Sequence, residues 1–243
     1  MIPIRDEIRT SGRTWLTYVL IAVNVLVFLY ETSLGEALDA FVTTWGLVPW
    51  NMTHGVAARG FSLREHVLPW LTSMFLHGGW VHLIGNMWFL HIFGDNVEDR
   101  LGRPRFVVLY VCGGLVAGLA QVVSSPGDTV PMVGASGAIA AVLGAYLLMY
   151  PRARVLTVVP IFIFLQFVRL PAFLFIGIWF VFQMFSGYAA LLSSASGGVA
   201  WWAHIGGFVA GLLLCMVLKS GTQARPAREF GPNRYDFVRR SWS

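Results

Sequence analysis

The chain has 243 residues, of which 56% are apolar and only 12% are charged. A soluble domain of this size carries roughly twice that charged fraction, so a large water-exposed fold is excluded and an integral membrane protein is indicated. The net charge of +5 does not point to nucleic acid, because the basic residues form no face or stripe and sit in the gaps between apolar runs.

The chain opens with a polar, basic segment, residues 1–13, followed by an apolar run from Trp15 to Leu34. At about twenty residues that run is too long for a signal-peptide core, and no small-residue cleavage site follows it, so it reads as a retained first span. Six spans are predicted, over residues 14–34, 79–93, 106–123, 133–150, 171–191 and 200–218. The second is short, and Ser73 is an alternative start for it. Residues 155–191 are long enough to tempt a two-span reading, but Pro160, Arg169 and Pro171 interrupt them. As a helix, residues 155–168 cover roughly 21 Å, too little to cross, so they read as an interfacial or re-entrant segment leading into the fifth span. The two cysteines, Cys112 and Cys215, fall inside spans and read as small buried hydrophobes, without a disulfide framework or a zinc site. No metal or other cofactor is expected.

Charge sets the orientation. With the N-terminus in the cytoplasm, nine inner arginines and six basic residues of the tail, Lys219 to Arg240, make fifteen of the seventeen basic residues inner; only Arg59 and Arg64 fall outside. A seventh span would turn the basic tail outward and break the positive-inside rule. The expected organisation is a cytoplasmic segment 1–13, a membrane domain 14–218 and a basic cytoplasmic tail 219–243, without order from Gly221 onward. The protein is expected to be multi-pass in the plasma membrane. The first outer loop, about residues 35–78, carries Trp45, Trp50 and Trp70, with Trp80 just beyond. Tryptophans beside a membrane seat at headgroup level; plain anchoring and steering of a substrate are both open to them.

Polar side chains inside a bilayer are costly and ask for a reason. His82 and Asn86 lie in the second span, Ser136 in the fourth and His204 in the sixth. His82 and Asn86 are four apart, on one helical face. All four lie within roughly 5–10 Å of the outer ends of their spans, at 1.5 Å rise per residue. A shared polar site opening to the outer side explains this coincidence. Around Ser136 the sequence is Gly134-Ala135-Ser136-Gly137, and around His204 it is Ala203-His204-Ile205-Gly206-Gly207, with Gly211 one turn on. Such small-residue surfaces let helix backbones approach closely, as a serine–imidazole hydrogen bond across two helices requires. Neutral imidazole removes a serine proton near pH 7. The start of a helix offers free N–H groups to an oxyanion, and Asn86 and His82 face it with side-chain donors. No carboxylate is placed to orient His204, so a dyad is predicted, not a triad.

The strings His77-Gly78-Gly79-Trp80-Val81-His82-Leu83-Ile84-Gly85-Asn86, Gly134-Ala135-Ser136-Gly137 and Ala203-His204-Ile205-Gly206-Gly207 resemble, in order, the signature regions of rhomboid intramembrane serine proteases of the bacterial, six-span type. Trp45-Gly46-Leu47-Val48-Pro49 resembles the start of their first loop. The resemblance implies an all-α, six-helix rhomboid bundle. Ser136 would be the nucleophile and His204 the base; His82, Asn86 and the Ser136 backbone would form the oxyanion hole. It also implies a fifth helix that gates access, and single-span membrane proteins as substrates, cut where a helix unwinds. The substrate-binding residues stay unassigned. Two features depart from some relatives: Ala140 replaces a Tyr that stacks on the catalytic imidazole, and the first loop lacks their Trp-Arg pair. His77 is expected to be a hydrogen-bonder near the cavity rim and His91 a packing residue.

Other classes fit less well. No H-E-x-x-H run supports a metalloprotease, and Asp95 stands alone near a span end, against an aspartyl protease. A non-catalytic rhomboid-like protein that binds transmembrane segments is the alternative, although such proteins tend to lose the Ser or the His. A transporter is disfavoured because the polar groups cluster in one leaflet.

Overall fold

The computed structural model describes residues 1–10, 14–161, 164–192, 199–219 and 228–229. Among them six long helices form an all-α membrane bundle: α1 (Leu16–Ser33), α2 (Trp80–Leu101), α3 (Arg103–Ser124), α4 (Ser136–Met149), α5 (Ala172–Leu192) and α6 (Trp201–Leu218). By length and composition α1, α3, Ala172–Ala189 of α5, and α6 suffice to cross a membrane. Helix α4 is apolar but only 14 residues long, and α2 carries Asp95, Glu98, Asp99 and Arg100 near its end.

Helix α4 is the centre of the bundle. Every residue from Gly137 to Tyr146 is buried, as befits a helix that is apolar all round. Helix α6 packs mainly on α4 and α3. A Cβ on Gly207 or Gly211 would collide with the carbonyl oxygen of Gly137 or Ala141, so these two glycines set the α4–α6 separation.

Helix α2 runs past the predicted end at Phe93 to Leu101. Beyond that end, Glu98 is held by partners from α1. The buried Glu98 carboxylate accepts the backbone N–H groups of Leu16 at 3.0 Å and Thr17 at 2.7 Å, and the Thr17 hydroxyl at 2.8 Å. It thereby satisfies the orphan donors at the start of α1.

Residues 155–161 and 164–168, read from sequence as an interfacial or re-entrant segment, are not helical. They belong to an antiparallel sheet of β1 (Ile2–Asp6), β2 (Arg154–Ile161) and β3 (Phe164–Pro171), with β2 in the middle. The register pairs Ile2 with Val158 and Asp6 with Val155, and Arg154 with Pro171. β-branched residues such as Val155, Thr157 and Val158 suit a strand, but β2 needs the N-terminal segment as its second neighbour. Asp6 fastens β1 to the bundle, accepting hydrogen bonds from Asn96 Nδ2 at 2.7 Å and the Tyr146 hydroxyl at 2.6 Å. Of the expected disordered tail, residues 221–227 and 230–243 lie outside the described residues, while Arg228–Glu229 pair with Ile8–Arg9.

In the first loop, Leu47 and Met132 form an antiparallel bridge with N···O distances of 3.0 and 2.8 Å. Leu47 is fully buried, so the Trp45-Gly46-Leu47 stretch is clamped to the segment that leads into α4.

Candidate active site

Three helices bring the predicted polar residues to one cavity of about 840 Å³, whose lining includes His82, Asn86, Ser136 and His204 together with Phe89 and Trp179. Ser136 is the first residue of α4, so its backbone N–H and those of Gly137 and Ala138 lack helical acceptors. His204 lies in the first turn of α6. Ser136 Oγ and His204 Nε2 are 2.8 Å apart, within reach for proton transfer.

His82 and Asn86 face this pair from the first two turns of α2. The Gly78 N–H donates to His82 Nδ1 at 3.4 Å, which leaves Nε2 to carry the ring proton. Asn86 Nδ2 is buried and has no protein partner among the described residues. A buried amide left unmatched is costly; a developing oxyanion would supply the missing acceptor. Both groups crowd Gly134, where φ is +126° and a Cβ would sit 2.7 Å from His82 Nε2 and 3.5 Å from Asn86 Nδ2. Only glycine tolerates both that backbone and that contact.

His77 is not the hydrogen-bonder expected near the cavity rim. Its ring is buried, makes no hydrogen bond among the described residues, and meets His82 edge-on at 5.2 Å. Burial, aided by His82, pushes its pKa down to about 4, so it is neutral. Its backbone N–H donates to the buried Glu31 carboxylate at 3.2 Å. His91 packs beside Tyr18 of α1, at 5.8 Å. Cys112 and Cys215 are both free.

How His204 is held without an aromatic at Ala140 has a structural answer. The rings of Trp179 on α5 and Trp201 on α6 each lie 6.2 Å from the imidazole. Sequence reasoning missed the polar contact: His204 Nδ1 is 2.8 Å from Gln183 Oε1 of α5. The available signal was an amide inside the otherwise apolar run Phe180-Val181-Phe182-Gln183-Met184-Phe185.

The chain is similar to known proteins. A family model described as a rhomboid domain matches residues 64–221. The chain is 33% identical over 138 residues to rhomboid protease GluP of Bacillus subtilis (strain 168), covering 56% of this chain and 25% of that protein. It is 33% identical over 93 residues to the mitochondrial presenilin-associated rhomboid-like protein A of Danio rerio, covering 37% and 24%. It is also 41% identical over 78 residues to RHOMBOID-like protein 5 of Arabidopsis thaliana, covering 32% and 25%. The matched segments thus span about a quarter of each of these relatives. Because the domain match begins in the first loop and runs through α2 to α6, over well more than half of the sequence, this chain belongs to the rhomboid family.

Proposed function

We propose that this chain is an intramembrane serine endopeptidase that hydrolyses peptide bonds in or near transmembrane segments of other membrane proteins. The observation that carries this reading is the 2.8 Å approach of Ser136 Oγ to His204 Nε2 on the wall of the cavity. His204, as general base, takes the hydroxyl proton while Ser136 Oγ attacks the scissile carbonyl carbon. The tetrahedral oxyanion is received by His82 Nε2–H, Asn86 Nδ2–H and the Ser136 backbone N–H. His204 then returns its proton to the departing amine, leaving an acyl-Ser136. Water, deprotonated by His204, releases the acyl group and regenerates the hydroxyl.

A regular helix shields its peptide bonds, so the substrate segment must unwind locally to reach Ser136. We place the protein in the plasma membrane; its basic residues, fifteen of seventeen on one side of the six-span topology, support an orientation with both ends of the 14–218 membrane domain, and the flanking segments 1–13 and 219–243, in the cytoplasm.

The test is labelling of the purified protein with a fluorophosphonate probe, beside cleavage of a model single-span substrate. Wild type is expected to label and cleave. Ser136→Ala is expected to do neither while melting at an unchanged temperature, and His204→Ala to be nearly as inactive. Cleavage that survives Ser136→Ala would overturn the mechanism; a wild type that neither labels nor cleaves yet retains bound transmembrane segments would favour the non-catalytic reading.

A further inference from the structure

Helix α5 lies at the margin of the bundle, and many of its side chains, including Phe173, Phe182, Phe185 and Tyr188, are exposed. It touches α6 and, to a lesser degree, α4. Within this apolar helix Gln183 is only 5% exposed. A buried amide facing hydrocarbon must find a partner, and the partner here is the imidazole of His204, at 2.8 Å. Both nitrogens of that ring are thus engaged: Nε2 by the Ser136 hydroxyl and Nδ1 by Gln183.

We propose that Gln183 is the positioning residue of this site, its Oε1 accepting the Nδ1–H of His204 and so aligning the general base from the fifth helix. This rests on the protease reading above. A neutral imidazole accepts a serine proton on Nε2 only when its own proton sits on Nδ1, and which tautomer is present is set by the hydrogen bond at the other nitrogen. Gln183 Oε1 can only accept, so it selects the productive tautomer and fixes the ring plane. Trp179, one turn earlier on α5, flanks the same ring at 6.2 Å. Alignment of the base therefore depends on α5 being seated. A displacement of α5 that removes Gln183 leaves Nδ1 without its acceptor and the Ser136 hydroxyl facing an unfixed ring.

Two variants test this, with wild type and Ser136→Ala alongside. Gln183→Met keeps an unbranched, buried side chain of similar length but has no amide oxygen; kcat is expected to fall about 10- to 100-fold with little change in KM, the behaviour of a group that acts in the transition state. Gln183→Glu restores an acceptor and adds a charge that favours imidazolium; activity is expected to recover at alkaline pH, with the acid limb of the kcat/KM profile moved about one pH unit higher. His82, the ionisable group that shares the cavity with His204, is unchanged in both variants. A kcat unchanged in Gln183→Met, or an acid limb unmoved in Gln183→Glu, would overturn the proposal. Should Gln183→Met fail to fold, the Gln183→Glu profile decides alone. Cleavage by wild type but not by Ser136→Ala, with both Gln183 variants behaving as wild type, would remove the positioning role and leave the protease reading intact.

Discussion

Asp6 makes the stability of this protein depend on pH in an unusual direction. Burial against the bundle is the main influence on its carboxyl; the Tyr146 hydrogen bond opposes it and the nearby Asp95 adds to it, and the pKa rises from 3.8 to about 7. Between those two values the folded state binds the proton and the unfolded chain does not, so the contribution of Asp6 to stability is complete below pH 3.8, falls progressively above it and is fully lost once pH passes about 7. At 1.36 kcal/mol per pH unit the difference is worth about 4 kcal/mol. The actual loss is capped by the cost of undocking β1, because a detached strand returns its carboxylate to water. Asp6→Asn mimics the protonated acid and can still accept from the Tyr146 hydroxyl. The assay is thermal unfolding of detergent-solubilised protein at pH 5 and pH 8. About two pH units of that difference fall between pH 5 and pH 8, so wild type is expected to lose about 3 kcal/mol, or roughly 5–10 °C in melting temperature, more than Asp6→Asn over that interval. Equal pH slopes in the two proteins would refute the assignment.

On the acid side, His77, held neutral down to about pH 4, disfavours protonation in the folded state. The contribution of His77 to stability is therefore expected to fall by about 3 kcal/mol between pH 6.5 and 4, against the trend set by Asp6, and His77→Phe is expected to melt higher than wild type at the acid end of that window relative to pH 7. Asn86→Ala is expected to lower kcat by roughly 10- to 10³-fold with a small effect on KM; an unchanged turnover of the model substrate would take Asn86 out of the oxyanion hole. Gly211→Ala forces a methyl against the Ala141 carbonyl, which cannot yield without moving α4. A destabilisation of about 1–3 kcal/mol, together with slower fluorophosphonate labelling, is expected, and a variant that melts and labels like wild type would show that the α4–α6 spacing has slack.

The positions of the six long helices were legible in the sequence because hydropathy and length answer to one physical demand, the thickness of the bilayer. Ser136, His204, His82 and Asn86 were legible because polar groups in hydrocarbon are costly, and their shared depth followed from counting residues from the span ends. The end of α2 was not. Asp95 reads as lying near a span end, yet the helix continues, and Glu98 is buried because Leu16 and Thr17, some eighty residues earlier, supply three donors to it.

The same reason separates the remaining features. Residue types, their order and their depth determined which groups could reach a common site and where the long apolar helices lie. Tertiary structure alone decided that residues 155–161 and 164–168 become strands, since β2 needs Ile2–Asp6 from the far end of the chain beside it. It alone decided that Gln183, and no carboxylate, faces His204 Nδ1. Hydropathy and motif spacing are properties of a segment taken by itself, whereas a hydrogen-bond partner is supplied by whichever backbone or side chain the assembled bundle brings alongside.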